Sequence, residues 1–153
     1  MIPLYLVSKG IIQKPILYLS EFFERNRNLY YENLMIVREK DDLAHWFKFF
    51  LTGIIETSKK GIITFDKILQ LQKKVEEKIQ ALGRKTINAK KVIDYLYHRP
   101  RLDAEKVSEI AELSLPSSYN LISDLENLEI LKEVTGKQRD RKYVFEQYLR
   151  LFR

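Results

Sequence analysis

Two short clusters of residues could do chemistry with nucleic acid. Lys137, Arg139 and Arg141 fall at alternate positions of the polar run Thr135-Gly136-Lys137-Gln138-Arg139-Asp140-Arg141. Alternation is expected to put the three cations on one face of a strand or loop, where they could contact phosphates. Ser117, Ser118, Tyr119 and Asn120 follow Pro116. At the start of a helix they would offer two hydroxyls, a phenol and an amide to a major groove, beside the positive end of the helix dipole. Asp124, Glu126 and Glu129 follow closely and repel phosphate, and Asn120 is the only residue of the cluster suited to bidentate base readout. Other chemistries fail on residue type. The chain has no Cys, which removes disulfides, thiolate-bound zinc and thiol nucleophiles and suits a reducing cytoplasm. His45 and His98 are the only histidines, too few for a multi-histidine metal centre, and both read as surface or helix-end residues.

Positioning those clusters requires particular elements. Asn88 is expected to cap a helix through Tyr97 that Pro100 stops, and Asp103 to cap a second carrying Val107, Ile110 and Ala111. Ser114 to Ser117 makes a tight turn, with Pro116 at a first helical position and Leu121, Ile122, Leu125 and Leu128 as the inner face of a third helix. Residues 130–134 and 142–145 read as two strands joined by the basic turn. Three helices and a hairpin over residues 84–153 make a winged helix-turn-helix. Gly83-Arg84-Lys85 marks the expected boundary with a helical half, residues 1–83.

In that half Pro3–Lys9 reads as a short apolar segment ended by Gly10, and Pro15 opens a helix with Ile16, Leu19, Phe22 and Phe23 on one face. Leu29, Tyr30, Leu34 and Val37 continue the pattern, and Asp41 and Asp42 suit a helix start. From Leu43 the apolar residues Trp46, Phe47, Phe50, Ile54, Ile62, Phe65, Ile68, Leu69, Val75 and Ile79 keep helical spacing, as one helix to about Leu82 or two meeting near Gly61. Trp46, Phe47, Phe49 and Phe50 are expected in the core. Residues 1–83 hold 13 Lys and Arg against 10 Asp and Glu, and the remainder 14 against 11, so each half carries +3 of the total +6 and no basic tail exists. No apolar run approaches the ~20 residues of a membrane span.

The helical half resembles a known family. The residues that carry the resemblance are Ile2-Pro3-Leu4-Tyr5-Leu6, Pro15-Ile16-Leu17-Tyr18-Leu19-Ser20-Glu21-Phe22-Phe23, Asn26-Arg27, Tyr30-Tyr31, Val37-Arg38-Glu39 and Trp46-Phe47-Lys48-Phe49-Phe50-Leu51-Thr52-Gly53. This series resembles the part of Fic-type AMP transferases that follows their catalytic loop. Residues 125–131 and 135–141 resemble the C-terminal winged-helix domain of a bacterial Fic subgroup. The fold so implied is mainly α, the helical-bundle portion of a Fic fold followed by a winged helix-turn-helix with a small β-hairpin.

The resemblance also implies what is missing. Fic enzymes carry a loop of the form H-x-F-x-D-G-N-G-R, whose His is the general base, whose acid holds Mg²⁺ and whose glycine turn cradles phosphates. This sequence has no such loop. The chain is therefore expected to be the downstream half of a Fic protein, inactive alone and binding no cofactor by itself, with ATP and Mg²⁺ expected only at a complete site. Tyr30 and Arg38 are the residual nucleotide-binding residues that the resemblance implies. Expected partners are duplex DNA or protein at the winged helix, and the upstream Fic half or a second copy at residues 1–83, whose helices would otherwise lack cover. The competing reading is a non-enzymatic DNA-binding regulator with a helical self-association domain. A third is a subunit that completes another chain's Fic site.

Overall fold

The computed structural model describes residues 5, 7–11 and 19–152. Pro3, Pro15 and Ile16 lie outside them. The chain is mainly helical with one small antiparallel sheet. It forms two compact units, Met1–Ile63 and Thr64–Arg153. No described helix is long and apolar enough to cross a membrane.

In the first unit, helix α1 spans Leu19–Arg25 and α2 spans Arg27–Lys40. Asp41, at φ 54°, ends α2 in the left-handed conformation. Asp42 then accepts the backbone N–H of His45 at 3.1 Å and opens α3, a single helix from Leu43 to Gln80. Gly61 does not break it, because one glycine costs a helix only ~1 kcal/mol. An aromatic cluster fills this unit. Phe22 lies 5.2 Å from Phe49, and Tyr30 lies 5.3 Å from Phe23 and 5.5 Å from Trp46, ring centre to ring centre. Phe47 does not join it and is 56 % exposed, because its position points to the other side of α3.

The second unit takes in the end of α3, so the compact division falls some twenty residues before Gly83. The reason is burial: Leu71, Val75 and Ile79 of α3 belong to the second unit's core. After a 3-10 turn at Gly83–Lys85 comes α4, Thr86–His98. Asn88 lies inside this helix and does not cap it; the Thr86 hydroxyl donates to the Ile79 carbonyl at 2.9 Å and ties the new helix to the old one. Strand β1 is Arg101–Leu102, followed by α5, Ala104–Ala111, and α6, Leu115–Asn127. Strands β2, Lys132–Glu133, and β3, Tyr143–Val144, are shorter than the sequence pattern implies. β3 pairs on both edges, giving the order β1-β3-β2. A short helix α7, Glu146–Leu149, follows. There Tyr148 and Phe145 flank Tyr97, whose phenol is pushed up to about 12 by burial.

Two sites test this packing. A Cβ at Gly53 would stand 2.6 Å from Cδ1 of Phe22, whereas one at Gly61 would meet nothing within 4 Å. Gly61→Ala should therefore stabilise the chain by ~1 kcal/mol through helix propensity alone. Gly53→Ala gains the same but must displace a ring held by Phe23 and Phe49, an overpacking cost of about 1–3 kcal/mol. Urea unfolding should show the two substitutions with opposite signs; equal stabilisation would contradict the packing at Phe22.

Asp103 supplies the second test. Its side chain accepts from the Lys106 N–H at 2.9 Å as the cap of α5 and also pairs with Lys142. The Lys142 hydrogen bond, with the Lys106 N–H, holds its carboxyl below the usual range. A lowered folded pKa means the contribution is complete above the unfolded carboxylate pKa of about 3.9 and is lost as pH falls through the folded value. Asp103→Ala should cost about 1–2 kcal/mol at neutral pH, Asp103→Asn less because the amide still caps, and both differences should shrink in acid. A pH-independent deficit would contradict the charged pairing.

Candidate nucleic-acid interface

The α5–turn–α6 segment is set by hydrogen bonds that its sequence supplies. Glu112, at φ 55°, closes α5, and the Leu113 N–H returns to the Ser108 carbonyl at 3.1 Å. Ser114 caps α6. Its hydroxyl faces Ser117, and its carbonyl accepts both the Ser118 N–H at 2.9 Å and the Ser118 hydroxyl at 3.0 Å. Pro116 sits in the first turn, where an N–H would go unused. Leu121, Ile122 and Leu125 are buried in the same core as Val107 and Ala111 of α5.

This burial sorts the four residues at the start of α6. Ser117, Tyr119 and Asn120 are exposed, Tyr119 by 48 %. Ser118 is 0 % exposed. It stands three and four residues before Leu121 and Ile122, on the inward face, so it cannot meet a ligand and instead holds the turn. The outward face keeps three of the four residues, together with Ser123 and Asn127.

The carboxylates that oppose a polyanion are partly neutralised. Asp124 pairs with Lys85 at 2.6 Å. Glu129 is 3.9 Å from Lys78, whose ammonium also donates to the Leu128 carbonyl at 2.7 Å. Glu133 faces inward onto its own turn and accepts the Thr135 N–H at 2.7 Å and the Gly136 N–H at 3.0 Å. The Thr135 hydroxyl and these two N–H groups hold its carboxyl below the usual range. Glu126 on α6 and Asp140 on the β2–β3 loop are in none of the ion pairs among the described residues.

Lys137, Arg139 and Arg141 are exposed on the β2–β3 loop. Strand alternation does not orient them. The strands end at Glu133 and resume at Tyr143, the Val134 N–H closes the loop onto the Lys142 carbonyl at 3.0 Å, and Asp140 turns the chain at φ 53°. Arg141 folds back so that its Nε donates to the Lys137 carbonyl at 2.9 Å. The three cations share a loop without sharing a strand face. Lys142, which sequence reasoning passed over, serves the fold through Asp103.

A hollow of about 400 Å³ beside α5 is lined by Tyr95, Arg101, Asp103, Glu105, Lys106 and Lys142 among others. Lys106 and Lys142 are already paired with Glu109 and Asp103, which leaves little net charge to draw an ion.

In the first unit, Tyr30 already has three aromatic neighbours, Phe23, Tyr31 and Trp46, and serves the cluster. Arg38 is exposed near the end of α2. Tyr30 and Arg38 stand eight residues apart on α2, and no group of three or more metal-ligating side chains occurs among the described residues. His45 and His98 sit at helix ends. No protein-family model matches the chain, and no curated protein matches it.

Proposed function

We propose that residues 84–153, within the second unit, form a winged helix-turn-helix that contacts duplex DNA through the start of α6 and the β2–β3 loop. We propose further that the chain is of Fic type and does not transfer AMP by itself. The observation that carries the first reading is the element order α4-β1-α5-α6-β2-β3 with strands arranged β1-β3-β2. That arrangement leaves the outer face of α6 and the basic loop exposed. Ser117, Tyr119 and Asn120 would enter the groove while Lys137, Arg139 and Arg141 contact phosphates. Pairing of Asp124 with Lys85 supports the reading, because it removes much of the repulsion that an acid on α6 would exert. Asn120 is a lone base reader, so binding is expected to be weak and nearly indifferent to sequence. The Fic reading rests on the motif series in residues 1–53, and the absent catalytic loop is the reason for inactivity.

Titration of the full chain with labelled random duplex across a salt series tests the first reading. Each phosphate neutralised contributes roughly 0.9 to the slope of log affinity against log salt, so replacing Lys137, Arg139 and Arg141 by Ala should flatten it by about 2–3. Tyr119→Ala and Asn120→Ala should alter preference among sequences instead. Absence of binding at low salt would make this unit a protein-contact module and end the DNA reading. For the second reading, incubation with labelled ATP, Mg²⁺ and candidate proteins should give no transfer above a Tyr30→Ala, Arg38→Ala control. Transfer above that control would overturn it.

A further inference from the structure

Helix α3 is apolar on two sides, and among the described residues only one is covered. Trp46, Phe49, Gly53, Glu56 and Lys60 meet Tyr30, Phe22, Arg25 and Glu21. At 3.6 residues per turn, these five positions fall in an arc of about 80°. Roughly opposite lies a second row, Leu43, Phe47, Leu51, Ile55, Ile62, Phe65 and Leu69, each between 48 % and 63 % exposed. This row lies within an arc of about 120° and is interrupted only by the exposed Ser58 between Ile55 and Ile62. It is also bounded. Beyond Leu69 the same side carries Gln72, Lys73 and Glu76, all exposed. Seven large side chains about half exposed leave on the order of 600–700 Å² of apolar surface, more than the few hundred Å² a monomer commonly shows in one patch.

We infer that this row is a dimer interface, covered by the same row of a second copy running antiparallel. The spacing favours that occupant. Read from its two ends, the row pairs Leu43 with Leu69, Phe47 with Phe65 and Leu51 with Ile62, and Ile55 falls next to the centre. A two-fold axis there sets a large side chain against a large one in three layers on each side of the centre, where Ser58 stands next to Ile55. Charge agrees. Lys48 and Asp66, both exposed, border the same side of the row, and the two-fold axis brings Lys48 of one copy alongside Asp66 of the other, twice. The area agrees as well: pairing would remove roughly 1,200–1,400 Å², within the range of stable protein interfaces. This inference stands apart from the nucleic-acid reading and needs no ligand.

The chain has no Cys, so introduced thiols report without background. Sedimentation of the full chain should give twice the monomer mass, and Phe47→Glu or Phe65→Glu should return it to monomer with helix content unchanged. Should the charged variants unfold, cross-linking still decides, since it leaves the row nearly intact. A mixture of Leu43→Cys and Leu69→Cys chains should join through a short thiol cross-linker, and neither alone should do so, because like ends lie ~40 Å apart in an antiparallel pair. A monomeric wild-type chain, or Leu43→Cys chains that join to themselves, would overturn the inference.

Discussion

Burial of one face of α6 is the constraint on which the second unit depends. Leu121, Ile122 and Leu125 have almost no exposure, and Phe145 and Ile130 close the same core. Each such side chain contributes about 1.5–3 kcal/mol when fully removed from water, so rotation of α6 about its axis is ruled out energetically. Fixing the inner face fixes the outer one. Ser117, Tyr119 and Asn120 must point outward, and Ser118 must point inward, where the Ser114 carbonyl satisfies its hydroxyl. What this unit can offer a partner is thus a consequence of its packing.

Electrostatics acts within that frame. Asp103 and Asp124 have cation partners at the fold's joints, Lys142 and Lys85, and Glu133 is spent on its own turn. The exposed pairs add little stability individually, because water screens them. Their effect is on the sign of the surface: Asp124 and Glu129 are offset by Lys85 and Lys78, Glu126 on α6 is not, and Lys137 and Arg139 stand exposed on the loop. The proposed DNA contact asks for a surface of that sign, and the scarcity of base-reading side chains on α6 fits the weak sequence preference proposed for it.

Much of this was legible in the residues, for local reasons. The cap at Asp103 and the inner face of α6 follow from side-chain chemistry and a period of 3.6, whereas Ser114, read as part of a turn, is the cap of α6. What was not legible depends on distant partners. β1 is two residues long and exists because β3 pairs with it, so no pattern in Arg101-Leu102 announces it. Asn88 suits a cap by type, yet Thr86 takes the chain into α4 earlier through its bond to Ile79. The alternation of Lys137, Arg139 and Arg141 assumed a strand that the turn at Asp140 prevents. Ser118 shows the limit most clearly, since a serine carries no mark of which face it will occupy until Leu121 and Leu125 are buried. Along α3, periodicity gave the helix, but an apolar residue such as Phe47 or Phe65 reads alike whether its own chain covers it or not.

The central claim is that α6 and the β2–β3 loop together form the nucleic-acid surface. The most direct test is an amide chemical-shift map of the isotopically labelled full chain titrated with a short random duplex at low salt. The account predicts that the largest shifts fall on residues 115–120 and 136–141, with Ser118 following its neighbours only weakly. Shifts confined to the outer side of α4 or to the hollow beside α5, or no shifts at all, would contradict it.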